Sequence, residues 1–364
     1  MKIAQIAPLF ESVPPKFYGG TERVVHYLTE ELVRQGHEVT LFASGDSTTN
    51  ARLIATVDRS LRLDPSCRDP LAHQVIQMKK VVDMASGFDI LHFHTDFLHF
   101  PMTSLLKPPC VTTLHGRLDI PDLQPLYDAF PRENVVAISE SQKRPVPQAH
   151  WLGTVYHGLP ESLHHRGDGN GGYWAFLGRI SPEKGVDRAI EIALSAKIRL
   201  KIAAKVDKSD ALYFKEKISP LLEHPLVEFI GEINEPQKTD FLGKATGLLF
   251  PIDWAEPFGM VMIEAMACGT PVLAFDNGSV PEVIEEGVSG MIVHSIAEAV
   301  HAVPGVAALP RGAVRHAFEK RFTASRMAGN YVRLYYKVLR NSFGKSTFTD
   351  LGNGFAASFS GSNS

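Results

Sequence analysis

Short apolar runs alternate with amphipathic stretches along most of the chain. Lys2–Ala7 is an apolar run that predicts a buried strand, and Thr21–Gln35 follows it with apolar residues at helical spacing. Gly36 stands where a helix commonly ends, and His37–Ala43 predicts the next strand. Strands and helices that alternate in this way are typical of parallel sheets built from βα units.

The same rhythm continues on both sides of a Gly-rich segment, Gly158–Gly172, which predicts a flexible connector. Before the connector, the pattern predicts strands at Ile90–Phe93, Val111–Leu114 and Val135–Ile138. After it, the pattern predicts strands at Tyr173–Leu177, Leu200–Ala204, Val227–Ile230, Gly247–Phe250 and Val272–Ala274, and helices at Gly185–Ala196 and Met260–Ala267.

This organisation predicts an α/β protein with two Rossmann-like, doubly wound domains that face each other across a cleft. A chain of 364 residues is long enough for two such domains. We expect the first domain to cover residues 1–160 and the second to cover residues 161–326. Residues 327–342 predict a helix that packs back on the first domain. Residues 343–364 are rich in Ser, Gly and Asn, and we expect a disordered tail there.

The composition indicates a globular protein and argues against several other classes. The chain is 44% hydrophobic and 21% charged with a net charge of −3, which fits a globular protein and does not suggest a nucleic-acid partner. Cys67, Cys110 and Cys268 lie far apart, which argues against disulfides and a zinc site and favours a reducing compartment. The apolar stretch at Met1–Pro8 is too short for a signal peptide and predicts a strand, and we expect no membrane-spanning helix. We therefore expect a cytoplasmic protein and leave peripheral membrane contact open.

The segment from Glu256 to Val272 carries the most chemical information. A loop leads into a short helix that opens near Gly259, and the free N–H groups at such an opening favour a phosphate. Glu256 precedes the helix and Glu264 lies inside it. One carboxylate could then face a sugar while the other accepts hydrogen bonds from ribose hydroxyls.

A second segment, Gly178–Gly185, lies between a predicted strand and a predicted helix. It contains Arg179 and Lys184, whose charges could neutralise a diphosphate leaving group at the end of the strand. An isolated Arg and Lys at this spacing would more commonly be a solvated surface pair. Their place after a strand, together with the two glutamates, favours the functional interpretation.

These two segments closely resemble the family 4 retaining glycosyltransferases of the GT-B fold, and the resemblance extends from Met1 to Leu339. Its hallmark is two glutamates separated by seven residues within a stretch such as EPFGxxxxEAMAxGxPV, and this pattern is complete here. The resemblance implies that Glu256 lies against the donor sugar and that Glu264 binds the ribose of the nucleotide. It also implies that Arg179 and Lys184 clamp the diphosphate. The implied donor-binding residues at the helix opening are Phe258, Gly259, Met260 and Val261.

The first domain contributes two further expectations from the same resemblance. Gly19 and Gly20 match an N-terminal glycine loop whose amides approach the donor phosphate or sugar, although two adjacent glycines alone would be weak evidence. His115 matches a position near the donor sugar. His157 stands where the family commonly has Asn, and Lys205 stands where it commonly has a Gly-rich loop.

Metal binding is an alternative that the sequence makes less favourable. His92, His94 and Asp96 could chelate a metal, but packing or cleft lining is the preferred interpretation. The chain contains no Asp-x-Asp pair, so we expect Arg179 and Lys184, and not a metal, to stabilise the leaving group. We therefore expect no metal and no cofactor, with a nucleotide sugar as co-substrate.

The resemblance implies a retaining hexosyltransferase that uses a nucleotide sugar, for which we take UDP as the nucleotide and keep GDP and ADP open. The acceptor is a glycan, a lipid-linked sugar or a small molecule. Acceptor contacts are expected from Gly116–Asp122 and Ser139–Pro147, where Arg117, Lys143 and Arg144 are either acceptor contacts or solvated charges. The alternatives are an epimerase or phosphorylase of the same fold, and a non-catalytic sugar-nucleotide-binding protein.

Overall fold

The computed structural model describes residues 1–16 and 19–343. The predicted tail at residues 344–364 lies outside the described residues, and so do positions 17 and 18 of the glycine loop.

The described residues of the first half form a seven-stranded sheet in the order β3-β2-β1-β4-β5-β6-β7, with parallel pairing throughout. The sequence pattern did not predict β3 and β7, which are short and only partly buried. The strands are β1 (Lys2–Ile6), β2 (Glu38–Ala43), β3 (Arg52–Ala55), β4 (Ile90–Phe93), β5 (Cys110–Thr113), β6 (Val135–Ala137) and β7 (Trp151–Thr154).

A second parallel sheet follows, with six strands among the described residues in the order β10-β9-β8-β11-β12-β13. The prediction of two doubly wound α/β units is therefore confirmed, although the sequence pattern did not predict the partly buried edge strand β13. The strands are β8 (Trp174–Arg179), β9 (Leu200–Lys205), β10 (Val227–Gly231), β11 (Leu248–Phe250), β12 (Val272–Phe275) and β13 (Gly290–Val293).

Helices connect the parallel strands, as such topologies require. In the described part of the chain they are α1 (Gly20–Arg34), α2 (Pro70–Met84), α3 (Phe100–Thr103), α4 (Leu123–Ala129), α5 (Glu140–Lys143), α6 (Val186–Ser195), α7 (Ala211–Tyr213), α8 (Glu235–Lys244), α9 (Met260–Ala267), α10 (Val280–Val283), α11 (Ile296–Ala307), α12 (Arg311–Arg321) and α13 (Ala324–Phe343). None of these helices is both long and apolar enough to cross a bilayer.

The connector at residues 158–172 contains no helix or regular strand, but it is anchored more firmly than a flexible linker would be. The amides of Gly167, Gly169 and Gly171 each donate to a backbone carbonyl of the second half, at 2.9–3.0 Å. A side chain at Gly167 would place its Cβ only 2.1 Å from the carbonyl oxygen of Gly243. The glycines therefore allow close packing against the second sheet, and the prediction of flexibility is corrected.

The last helix, α13, returns from the second half and packs against α1 of the first. Tyr331 and Tyr335 on α13 are fully buried, and their hydroxyls bond to side chains of the first sheet. The largest apolar cluster runs through both halves, from Ile3 and Val111 to Ile263 in α9. The exact domain limits at residues 160 and 326 stay a prediction.

Candidate active site

A cleft of about 920 Å³ opens where the carboxyl ends of strands from both sheets face each other. Ligands of open α/β sheets bind at this edge, because the strands end there in loops. The structure brings together in this cleft all the residues expected to bind the donor or take part in catalysis: Gly19, Gly20, His115, Arg179, Lys184, Glu256, Phe258, Gly259, Met260, Val261 and Glu264. Their functional roles stay predictions.

Glu256 is held by two neighbouring side chains. Its Oε2 accepts hydrogen bonds from the ammonium of Lys184 and from Trp254 Nε1, the latter at 3.0 Å. The Lys184 ammonium also lies 4.8 Å from the centre of the Trp254 ring, within range of a cation–π contact. The carboxylate is therefore oriented and already engaged, so it is poorly placed to act as a free nucleophile.

The loop that carries Lys184 is locked against the loop that carries Glu256. Gly185 has φ 69°, and an added Cβ would lie 2.1 Å from the carbonyl oxygen of Pro251. The amide of Asp253 donates to the carbonyl of Glu183 at 2.8 Å. Because only glycine permits both this conformation and this approach, Gly185 determines where Lys184 stands.

Residues from the turn after β12 support Glu256 from the other side. The amide of Ser279 donates to the carbonyl of Glu256 at 3.0 Å, and its hydroxyl donates to the carbonyl of Phe258 at 2.8 Å. Gly278 lies so close to this loop that an added Cβ would be 2.3 Å from the amide nitrogen of Glu256. No local pattern in the sequence indicates this support, because Gly278 and Ser279 are distant from Glu256 along the chain and contact its backbone atoms.

Arg179 leaves β8 at the cleft and pairs with carboxylates of its own half. Its Nη2 lies 2.6 Å from Glu183, and its Nη1 lies 3.7 Å from Asp207. Lys205, at the end of β9, lies 2.8 Å from the same Asp207. Two cations, Arg179 and Lys184, therefore reach the cleft from one loop, as the sequence predicted.

Glu264 lies on α9 with only 4% of its surface exposed. Its Oε1 accepts from the ammonium of Lys238 at 2.7 Å. Burial alone would raise the pKa of this carboxyl, but the charges of Lys238 and Arg23 outweigh burial and hold the pKa below its ordinary value. Glu264 is therefore a buried carboxylate that stays ionised, and an ionised carboxylate is a strong acceptor for hydroxyl groups.

Arg23 brings a positive charge from the first half of the chain to the region around Glu264. Arg23 follows the glycine loop on α1 and forms an ion pair with Glu235, the first residue of α8 in the second half. Glu235 is also 3.2 Å from Lys238. The four charges of Arg23, Glu235, Lys238 and Glu264 therefore form one network that crosses the cleft.

A chain of buried histidines leads from the first sheet to His115. Gln5 Oε1 accepts from His94 Nε2 at 2.7 Å, and His94 Nδ1 lies 2.8 Å from His115 Nε2. Burial lowers the pKa of His94 well below its ordinary value and the pKa of His115 to about 3, so both rings are neutral. Since His94 donates from Nε2, its Nδ1 must accept from His115. His115 therefore keeps Nδ1 as its unprotonated nitrogen.

The nitrogen Nδ1 of His115 is shielded from solvent and has no hydrogen-bond partner among the described residues. The ring stacks on His157 with 5.3 Å between centroids, and His157 meets Phe258 edge-on at 4.9 Å. The unusual His157 thus joins the first half to the opening of α9. His115 therefore has one acceptor nitrogen that no group of the described residues occupies.

The metal interpretation of His92, His94 and Asp96 finds no support in the geometry. Both nitrogens of His92 are engaged, by Tyr335 at 2.6 Å and Thr113 at 2.7 Å, and both nitrogens of His94 have the partners given above. Asp96 lines the cleft with φ 50° and is exposed, so it does not join the buried histidines. Within residues 1–16 and 19–343, no three His, Cys, Asp or Glu side chains are grouped as metal ligands would be.

The two loops expected to contact an acceptor are placed differently. Gly116 lines the cleft, whereas none of the described lining residues comes from Ser139–Pro147. The amides of Glu140 and Ser141 instead donate to the carboxylate of Glu282 in the second half, at 2.6 and 2.7 Å. Arg117 pairs with Asp119 at 2.7 Å, so its charge is already balanced.

Several cleft residues were not predicted from the sequence, and Arg23, Glu235, Lys238 and Trp254 are those with the contacts described above. Arg23 and Trp254 lie within a few residues of predicted site positions, and that proximity was the available signal. Lys238 carried no such signal, because α8 is a polar helix whose approach to α9 follows only from the tertiary fold.

Comparison with protein families gives two matches that together span most of the chain. Residues 18–154 match the family described as Glycosyltransferase Family 4, and residues 165–304 match Glycosyl transferases group 1.

Curated relatives agree with these families. The chain is 25% identical to an uncharacterised glycosyltransferase of Methanocaldococcus jannaschii, over 81% of this chain and 85% of the relative. A second uncharacterised glycosyltransferase of that organism is 26% identical over 59% of this chain and 63% of the relative. A Mycobacterium D-inositol 3-phosphate glycosyltransferase is 31% identical over 39% of this chain and 35% of the relative. The chain thus spans less than two thirds of the length of two of these three relatives.

Solved structures share the fold over nearly the whole chain. Sucrose-phosphate synthase from Thermosynechococcus elongatus has a TM-score of 0.73 at 18% identity, covering 93% of this chain and 98% of that structure. Anabaena HepE, solved in complex with UDP-glucose, has a TM-score of 0.71 at 18% identity, covering 93% and 100%. With two matching family models, two facing parallel sheets and these structural neighbours, the chain belongs to the family 4, group 1 glycosyltransferases and has their GT-B fold.

Proposed function

We propose that this protein is a retaining hexosyltransferase that takes a sugar from a nucleotide-sugar donor and transfers it, without a metal, to a glycan, a lipid-linked sugar or a small molecule. One observation carries the proposal: Arg179, Lys184, Glu256 and Glu264 line one cleft between the two sheets. The three free cysteines fit a reducing compartment, so we propose that the reaction occurs in the cytoplasm.

The donor would lie along the second half of the cleft. The ribose would bind Glu264, which is ionised and buried next to Lys238. The diphosphate would lie between Arg179 and Lys184, with the first amides of α9 at its other side. The sugar would then face Glu256 and the amides of Gly19 and Gly20 across the cleft. UDP is the nucleotide we propose, because a neighbour of the same fold is solved with UDP-glucose.

The transfer would proceed on one face of the sugar. As the bond from the anomeric carbon to the diphosphate oxygen breaks, its electron pair goes to the diphosphate, where Arg179 and Lys184 neutralise the growing charge. The acceptor hydroxyl forms the new bond on the same face and passes its proton to a diphosphate oxygen. Glu256 would orient the sugar, because Lys184 and Trp254 already hold its carboxylate. This course retains the configuration of the anomeric carbon.

A turnover assay tests the proposal. The protein is incubated with UDP-, GDP- and ADP-hexoses and a panel of acceptors, with and without EDTA, and nucleotide release and product anomers are followed by NMR. We expect one nucleotide class to be consumed with retention and without loss of rate in EDTA. Lys184→Met and Glu256→Gln should abolish turnover, whereas Lys201→Met and Glu228→Gln, which remove a more exposed Lys–Glu pair of the second half, should not.

Other outcomes would contradict the proposal in recognisable ways. An inverted product would exclude the same-face course. Isomerised donor in the absence of acceptor would indicate an epimerase, and a requirement for inorganic phosphate would indicate a phosphorylase. Tight donor binding without turnover across the acceptor panel would indicate a sugar-nucleotide-binding protein.

A further inference from the structure

Glu264, the carboxylate proposed to bind the ribose, belongs to an ion-pair network whose other members lie outside the donor motif. Glu264 contacts Lys238, Lys238 contacts Glu235, and Glu235 pairs with Arg23. The side chains of Arg23, Lys238 and Glu235 are only 12%, 14% and 20% exposed, so solvent screens these pairs less than surface pairs.

The second half holds its part of the network in a rigid turn. Asn234 caps α8 by accepting from the amide of Gln237 at 3.1 Å, and the Gln237 side chain accepts from the amide of Asn234 at 2.9 Å. This capping box fixes the first turn of the helix, so Glu235 and Lys238 lie next to each other at a spacing of three residues.

Arg23 comes from the opposite side of the cleft. It lies on the first turn of α1, three residues after Gly20. Gly20 belongs to the glycine loop that is expected to approach the donor. Its ion pair with Glu235 therefore joins a first-half helix to a second-half helix directly beside Glu264. If the two halves separate, Glu235 loses Arg23 and competes more strongly with Glu264 for the ammonium of Lys238.

We propose that Arg23 and Glu235 form a latch across the cleft which, through Lys238, positions the Glu264 carboxylate for the ribose hydroxyls of the donor. The inference rests on the proposed function, since it assigns positioning residues to the same donor site. The latch would couple closure of the cleft to ribose binding. If closure raises the affinity for the ribose, ribose binding must favour closure by the same factor.

The experiment compares UDP with 2′-deoxy-UDP and 3′-deoxy-UDP, by calorimetry, in wild type, Arg23→Gln, Glu235→Gln and Arg23→Lys. If the donor screen assigns GDP or ADP, the corresponding deoxy pair is used. Wild type should prefer the ribonucleotide by about 10- to 100-fold, the value of one hydrogen bond to a charged group. Arg23→Gln should reduce this preference to about threefold or less, and Arg23→Lys should restore most of it. Glu235→Gln, which removes the competing carboxylate, should keep the preference, and adding it to Arg23→Gln should restore the preference.

Arg34→Gln is the matched control, because it removes an exposed ion pair with Glu31 on the same helix and should leave the preference unchanged. A merely structural role of the latch would weaken all three nucleotides equally and leave the ratio intact. The inference is therefore overturned if wild type discriminates and Arg23→Gln discriminates equally well, or if Glu235→Gln does not rescue Arg23→Gln. Wild type that fails to discriminate at all would instead contradict the ribose assignment of Glu264, and with it the proposed function.

Discussion

Replacing Gly185 by alanine is the sharpest local test of how the phosphate side of the cleft is built. Gly185 has φ 69° and Gly36 has φ 83°, so an alanine at either position pays about 1–2 kcal/mol for the left-handed conformation. The two sites differ in their surroundings. An added Cβ at Gly185 would lie 2.1 Å from the carbonyl oxygen of Pro251, whereas at Gly36 it would meet nothing within 4 Å.

The close contact at Gly185 can be relieved only if the two loops move apart by more than 1 Å, since ordinary Cβ contacts begin at 3.4 Å. This movement displaces Lys184 from Glu256 and from the expected diphosphate. A misplacement of about 1 Å costs on the order of 100-fold in rate, and the loss of one charge-assisted contact costs about 10-fold in affinity.

The assay measures the binding of UDP and of uridine, together with nucleotide release from the donor, in Gly185→Ala and Gly36→Ala. We expect Gly185→Ala to bind UDP about 10-fold more weakly than Gly36→Ala, with equal uridine affinity, because uridine lacks the phosphates that Lys184 would contact. Melting temperatures report the conformational cost that both variants share. If the two variants bind UDP equally, the contact with Pro251 does not position Lys184 for the diphosphate.

Two further variants test other parts of the site. Lys238→Met should make the preference for UDP over 2′-deoxy-UDP fall as the pH is lowered toward about 5.5, because without the ammonium burial raises the pKa of Glu264 and the carboxyl takes up a proton. Wild type, whose Glu264 has a pKa held below its ordinary value, should show a constant preference in that range. Lys244→Met, which removes an exposed pair on the same helix, should behave like wild type, and a constant preference in Lys238→Met would refute the argument. Tyr335→Phe should lower the free energy of unfolding by about 1–3 kcal/mol, measured in urea, because it leaves His92 and Gln5 with unmatched buried groups, whereas Tyr336→Phe, which is 38% exposed, should cost little; equal losses would show that the buried network adds no stability.

The sequence predicted the strands that are buried on both faces, because their apolar runs stand out from amphipathic neighbours. Ile90–Phe93 and the helix Met260–Ala267 agree with the structure to the residue. The edge strands β3, β7 and β13 were missed, because strands that are only partly buried carry a weaker apolar signal, although the partly buried edge strand β10 was predicted. The connector was expected to be flexible, because glycines that permit close packing and glycines that permit motion look alike in a sequence.

The sequence predicted the site residues that stand within short local motifs, but not the contacts between distant segments. The glutamates, Arg179 and Lys184 stand within short segments that place them at strand ends and a helix opening, so their convergence in one cleft follows from the parallel topology. The contacts of Arg23 with Glu235 and of Lys238 with Glu264 join residues that are 212 and 26 positions apart. Such contacts depend on how the two halves and two neighbouring helices pack, and no periodicity in a single sequence encodes that packing.

The most direct test of the account is a calorimetric titration of UDP-, GDP- and ADP-sugars into wild type and Glu264→Ala. We predict that one nucleotide class binds wild type and that Glu264→Ala binds it at least about 10-fold more weakly, because the variant lacks the ionised acceptor for the ribose. Failure of every nucleotide sugar to bind wild type, or equal affinity in the variant, would contradict the assignment of this cleft as a donor site.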